Sequence, residues 1–243
     1  MVAIALAFVL CLVPSLSLYF WVRSLQKDKP GYTDGCRKAL INGLICTVPV
    51  VLVALALNII GALLKLPEGN QVIWQAYRCF LLFAFAEEGC KFLLFKRTLK
   101  KTSCDVSWFD LVVFMTLVGI GFGMLESLIY SLTMSPGQAM VRGLLMAHGG
   151  YGFIMGYFFA KAVKENKKLY YVVSFLLPFL LHGFYDFALS PIFVDSDWSA
   201  IVAVNLALIS LITVIVMIVF FARRKRNPEY TTPLGYKTAS VSS

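Results

Sequence analysis

The chain has 243 residues, 59% of them hydrophobic and only 14% charged, with a mean hydropathy of +0.79. A water-soluble globule of that composition would expose far too much apolar surface, which leaves a membrane protein. The formal net charge of +9 then reads as an orientation and anionic-lipid signal, and no nucleic-acid partner is needed to explain it.

Crossing roughly 30 Å of hydrocarbon takes about 20 predominantly apolar residues in a helix. Seven stretches meet that length, at about 2–22, 40–64, 72–95, 108–132, 140–162, 169–189 and 200–222. Little but short loop separates them, so residues 1–222 read as one all-α transmembrane domain whose motifs lie within 84–190. Residues 223–243 read as a basic stop followed by a disordered polar tail.

The first segment, "MVAIALAF" onward, lacks the positive charge that precedes the apolar run of a signal peptide; Arg23, Lys27 and Lys29 follow it instead. It is therefore expected to remain, with its N-terminus outside. The later loops repeat the pattern. Arg37 and Lys38, then Lys96, Arg97, Lys100 and Lys101, then Lys161, Lys164, Lys167 and Lys168, then Arg223, Arg224, Lys225 and Arg226 all fall on one side. The alternate loops "LPEGN", "MSPGQ" and "VDSDW" are not basic. The expected topology is seven spans, N-terminus out and C-terminus in, multi-pass in a cell membrane. Six cysteines, at 11, 36, 46, 79, 90 and 104, form no CxxC pair and read as reduced packing residues.

Polar residues inside the spans carry the chemistry, because a charge at mid-membrane costs about 3 kcal/mol on insertion scales unless it is compensated. The third segment holds Glu87, Glu88 and Lys91 in "FAFAEEGCKFLLF"; the fourth holds Glu126; the fifth holds His148; the sixth holds His182 and Asp186. The chain has only two histidines, and both are in spans. Glu87 and Lys91 are four residues apart, Glu88 and Lys91 three, His182 and Asp186 four, so each set shares a helix face. Pro178, one turn before His182, can kink the sixth helix toward the site. Gly119 and Gly123, and the stripe His148, Gly152, Gly156, are spacings that let membrane helices approach closely. Asp110 reads as a charge at a helix N-terminus, and Arg142 as a snorkelling anchor.

Four carboxylates then face one fixed cation, Lys91. In low dielectric some must hold protons or share a bound cation. Two imidazoles and a carboxylate (His148, His182 and Glu126) form a ligand set for catalytic zinc that leaves a position for water, with another glutamate as general base. Without a metal, a glutamate activates water directly and the histidines stabilise the oxyanion. The same groups also suit a proton-coupled transporter or channel.

"EEGCK", "GFGMLE", "RGLLMAHGGYG" and "LHGFYD" together resemble the EExxK, GFxxxE, arginine-then-histidine and HxxxD motifs of the PrsW family of intramembrane proteases, distant relatives of the type II CAAX prenyl endopeptidases. The resemblance implies a multi-pass peptidase of the bacterial cytoplasmic membrane that makes the first cut in a membrane-anchored anti-sigma factor. By position it implies Glu87 as the water-activating base, Glu88 beside it, and Glu126, His148, His182 and Asp186 in the same site. Lys91 and Glu126 separate the chain from the CAAX enzymes, which argues against a prenylated substrate.

Overall fold

A computed structural model describes residues 2–132, 146–194 and 199–236. Among them the regular elements are helices: α1 (Val2–Ser24), α2 (Tyr32–Leu63), α3 (Gln71–Ala76), a π-helical segment (Tyr77–Phe85), α4 (Ala86–Lys101), α5 (Trp108–Tyr130), α6 (Ala147–Glu165), α7 (Lys168–Ala188), α8 (Pro191–Val194), α9 (Ser199–Arg224) and α10 (Pro228–Thr231). Among the described residues four helical stretches are long and apolar enough to cross a membrane: Tyr32–Leu63, Trp108–Tyr130, Lys168–Ala188 and Val204–Arg224. The other expected segments are also helical over their described parts, but 71–101 is a composite of α3, the π turns and α4. Arg142 and most of the expected start of the fifth segment lie outside the described residues.

α5 is the axle of the bundle. Its residues from Trp108 to Phe122 are buried on every side, as a helix apolar all round must be, and it packs most extensively on α6 and α2. Glycines make that approach possible. A Cβ at Gly152 would stand 2.6 Å from the Met115 carbonyl oxygen, and one at Gly156 2.9 Å from Val112 Cα. On the other face Gly121 meets the backbone of α2 at Leu40 and Gly43. The small-residue spacing noted in the sequence therefore marks backbone-to-backbone contact between α5 and α6.

α2 starts at Tyr32, eight residues before the apolar run was expected to open. Asp34 explains the extension: it pairs with Arg37 at 2.8 Å and Lys38 at 2.5 Å, so a charged first turn is stabilised at helical spacing. Asp110 sits where the sequence placed it. Ser107 Oγ accepts from its backbone N–H at 3.3 Å, while Asp110 Oδ2 accepts from the Ser107 N–H at 2.7 Å, forming a capping box that Lys29 completes as an ion pair. Burial and the Asp110 carboxylate push the nearby Cys104 thiol up to about 12. The five cysteines whose side chains are described are free and buried, in keeping with a packing role.

The basic loops gather at one end of the bundle. Lys38 Nζ donates to the Lys101 carbonyl at 2.6 Å, Lys164 pairs with Glu229 at 3.1 Å, and Gln26 reaches the Lys225 carbonyl. At this end the described part of the C-terminal segment, as far as Tyr236, lies against the bundle. Asn227 caps α10, Tyr230 is buried against Trp108 and Phe220, and Leu234 N–H donates to the Val106 carbonyl at 3.0 Å. Composition marks this stretch as polar and free. Two aromatic anchors, Tyr230 on Trp108 and Tyr236 on Phe159, and a short backbone pairing dock it as far as Tyr236.

Candidate functional site

The sequence brings Glu87 and Glu88 into the first turn of α4 with Lys91 one turn on, and the fold turns that face inward. Lys91 and Glu88 are wholly buried, and Glu87, His148 and His182 are each 9% exposed or less. A buried ammonium needs acceptors on several sides. Lys91 Nζ finds Glu88 Oε1 at 2.7 Å, His148 Nδ1 at 2.9 Å and Glu87 Oε2 at 3.6 Å, and it lies 4.4 Å from the centroid of the Phe122 ring.

That ammonium sets the state of His148. It can only donate, so His148 Nδ1 accepts and the ring proton is on Nε2. Nε2 points at Glu126 Oε2, 2.5 Å away. The second histidine is held in the same manner from α7. His182 Nδ1 lies 2.9 Å from Glu88 Oε1, and its Nε2 lies 3.3 Å from Asp186 Oδ2, one turn along the same helix. The structure thus joins the sequence-predicted residues into one chain of contacts: Glu126, His148, Lys91, Glu88, His182, Asp186. The imidazole centroids are 5.2 Å apart.

Glu87 occupies the middle. Its Oε2 is 3.8 Å from both His148 Nδ1 and His182 Nε2 and 3.6 Å from Lys91 Nζ, and it has no hydrogen-bond partner within the protein; neither has Glu88 Oε2. Buried carboxylate oxygens are costly when unpaired, and separations of 3.6 to 3.8 Å suit an intervening water or ion better than direct bonds. Ligand atoms of Glu87, Glu88, His148 and His182 all lie within 4.8 Å of one another. Imidazole nitrogens and carboxylate oxygens are a fitting donor set for a divalent metal. This grouping differs from the expected His148, His182 and Glu126. Glu126 supports the far side of the His148 ring, because the α5–α6 contact delivers it to Nε2 and leaves Nδ1 facing α4.

Two neighbours escaped the sequence reading. Tyr151 stacks on His182 with ring centroids 5.0 Å apart at 18°, and Phe122 meets His148 edge-on at 5.0 Å. Their signal was helical spacing alone: Tyr151 is three residues past His148, and Phe122 four before Glu126. Apolar helices are full of aromatics at such offsets.

Comparison with known proteins agrees with this geometry. Residues 36–223 match the description PrsW family intramembrane metalloprotease. A protein named Protease PrsW from Shouchella clausii is 29% identical over 194 residues, covering 78% of this chain and 85% of its own length. The Protease PrsW of Clostridioides difficile is 26% identical over 212 residues (81% and 83%), and that of Halalkalibacterium halodurans 31% identical over 176 residues (61% and 80%). No solved structure matches the chain. The family match runs over more than half of the chain and contains every member of the buried cluster, which favours peptide-bond hydrolysis over proton-coupled transport. The chain belongs to the PrsW family of intramembrane metalloproteases and is a membrane-embedded protease.

Proposed function

We propose that the chain hydrolyses a peptide bond in a membrane-anchored protein, with Glu87 as the general base. The supporting observation is the placement of Glu87 Oε2: buried, without a hydrogen-bond partner in the protein, and equidistant from the two imidazoles. A base must stand within a water's reach of the group it deprotonates, and Lys91 nearby offsets the charge that develops there. His182 is held in place by Glu88 and Asp186, with its Nε2 3.8 Å from Glu87 Oε2. His148 is held in one tautomer by Lys91 and Glu126.

Glu88, His148 and His182 would hold the metal of the family, leaving Glu87 for the proton. Imidazole with carboxylate ligation favours zinc, which when bound acidifies water and polarises the scissile carbonyl. His148 Nδ1 becomes available as a ligand only when the Lys91 ammonium leaves it, so Lys91 also controls entry to the site. The finer reading is a seven-span protein with its N-terminus out and its C-terminus in, seated in a bacterial cytoplasmic membrane and making the first cut in an anti-sigma factor.

The test uses the full chain in liposomes with a single-span, membrane-anchored anti-sigma reporter. Glu87→Ala, His148→Ala and His182→Ala should each abolish cleavage while the proteins remain folded. Cleavage retained in all three overturns the assignment, and cleavage only of reporters unrelated to anti-sigma factors overturns the substrate.

A further inference from the structure

The cluster is walled differently on its different sides. Between α5 and α6, and between α5 and α2, helices touch backbone to backbone through glycines, so no side-chain rotation can open them. Between α4 and α7 the described backbones approach only sparsely, while the π-helical segment that precedes α4 and ends at Phe85 packs closely on α7; where α4 and α7 part, the seam is closed by phenylalanines. Phe85 meets Phe175 at 6.1 Å and Phe179 at 6.4 Å, Phe92 meets Phe175 at 6.3 Å, and Phe175 stacks on Phe179 at 6.0 Å.

These rings share a face with the chemistry. On α7 the residues Phe175, Phe179, His182 and Asp186 follow one another by four, three and four positions; across the seam Phe85, Glu88 and Phe92 do so by three and four. Such offsets form one stripe on each helix. Moving the rings therefore uncovers Glu88 and His182 directly. The outer side of the seam is apolar and unpaired, with Phe85 43% and Leu176 43% exposed.

The two helices also diverge. At one end Gly183 packs tightly against the Phe80 ring, where a Cβ would collide. At the other end a groove of about 420 Å³ opens among Phe92, Lys96, Phe159, Tyr171, Val172 and Tyr236. The Phe80–Gly183 contact is thus the fixed end of a wedge, the phenylalanine rings its closure and the groove its mouth. π-helical turns, which often mark functional sites, run up to Phe85 on the same side.

We propose that the α4–α7 seam is the lateral entrance to the site: Phe85, Phe92, Phe175 and Phe179 swing aside to admit an apolar, membrane-embedded protein segment, part of which the groove seats. The occupant rests on the protease reading above; the entrance itself does not. The exposed face of the seam is apolar at Phe85 and Leu176, with Lys96 only at the groove end, which suits an apolar segment arriving from the bilayer.

The entrance is tested on the reconstituted chain without any proteolysis, by the rate at which N,N′-dicyclohexylcarbodiimide, a lipid-soluble carboxyl reagent, modifies Glu87 and Glu88. Mass spectrometry reads these sites against Glu126 as internal reference. Phe85→Ala and Phe179→Ala should speed modification roughly two- to tenfold relative to Glu126, the factor that loss of one aromatic pair implies. Leu52→Ala, on the exposed face of α2, should not change it. An unfolded variant betrays itself by raising Glu126 equally; the milder Phe85→Leu and Phe179→Leu then take its place. Rates indifferent to all of these substitutions, or matched by a water-soluble carbodiimide, overturn the entrance.

For the occupant, benzoylphenylalanine at position 175 should capture the single-span reporter several-fold more than at position 52. Capture of phospholipid alone overturns a protein occupant. Carbodiimide access through the seam in a chain that cleaves nothing would leave the entrance standing and remove the protease mechanism, so the two failures are distinguishable.

Discussion

Lys91 Nζ donates to His148 Nδ1 across 2.9 Å, within a site where the lysine itself is fully buried. This one contact ties α4 to α6 and fixes the tautomer of the imidazole, while the same ammonium pairs with Glu88 one turn back. Removing the ammonium while leaving Glu88 buried should cost about 3–5 kcal/mol, the penalty for breaking a buried ion pair from one side. Lys91→Met should lower the unfolding midpoint in detergent accordingly, and Lys91→Met with Glu88→Gln should recover much of the loss. A double variant no more stable than the single one would show that the pair is not coupled as the 2.7 Å contact implies.

Glu126 Oε2 lies 2.5 Å from His148 Nε2. Removing the partner of a ligating imidazole typically costs 10–100-fold in metal affinity or activity. Glu126→Ala is therefore expected to lower cleavage by about that factor, and Glu126→Gln, which keeps an acceptor for Nε2–H, by clearly less. Initial rates in liposomes measure both.

A metal bound by Glu88, His148 and His182 stabilises the fold that assembles them, because a ligand that binds only the native state adds RT ln(1 + [L]/Kd). Chelator treatment should then lower the thermal midpoint of the wild type and leave the midpoint of the His148→Ala, His182→Ala double variant unmoved. Elemental mass spectrometry of the two proteins should show the ion in the first and not in the second. Equal chelator sensitivity in both would put the metal elsewhere.

Close approach of α5 and α6 depends on missing side chains. At Gly152 an added Cβ falls 2.6 Å from a backbone oxygen, which no rotamer change relieves, so Gly152→Ala should destabilise by about 1–3 kcal/mol as overpacking does. Because this contact also sets the distance from Glu126 to His148, cleavage should fall further than stability alone explains. Gly89, whose Cβ would meet nothing, is the control: Gly89→Ala should leave the fold intact.

The docked C-terminal segment makes a separate prediction. Tyr230 is 9% exposed, packs on Trp108 at 5.0 Å, and lies beneath the Arg224 guanidinium at 4.6 Å. Tyr230→Ala should cost about 3 kcal/mol, toward the low end for burying and then deleting an aromatic ring, and should leave metal content unchanged. Thermal unfolding with parallel metal analysis separates the two effects.

Composition and apolar run length sufficed to establish a helical membrane protein, since the hydrocarbon layer imposes both the length and the polarity of what crosses it. Helical offsets also placed Glu88 with Lys91 and His182 with Asp186, because neighbours one turn apart share a face whatever the tertiary fold. The glycine spacings announced the α5–α6 contact for the same local reason. Only the tertiary structure decided which groups from different helices meet. It set Glu87 among both histidines and moved Glu126 to the outer nitrogen of His148. It also inserted π turns before Glu87, which change the angular step between side chains, and it folded Tyr230 back onto Trp108. Each of these depends on the rotation and separation of whole helices. A sequence read one helix at a time carries no information on how far apart two helices stand, and in this site a few ångströms decide which carboxylates face both imidazoles.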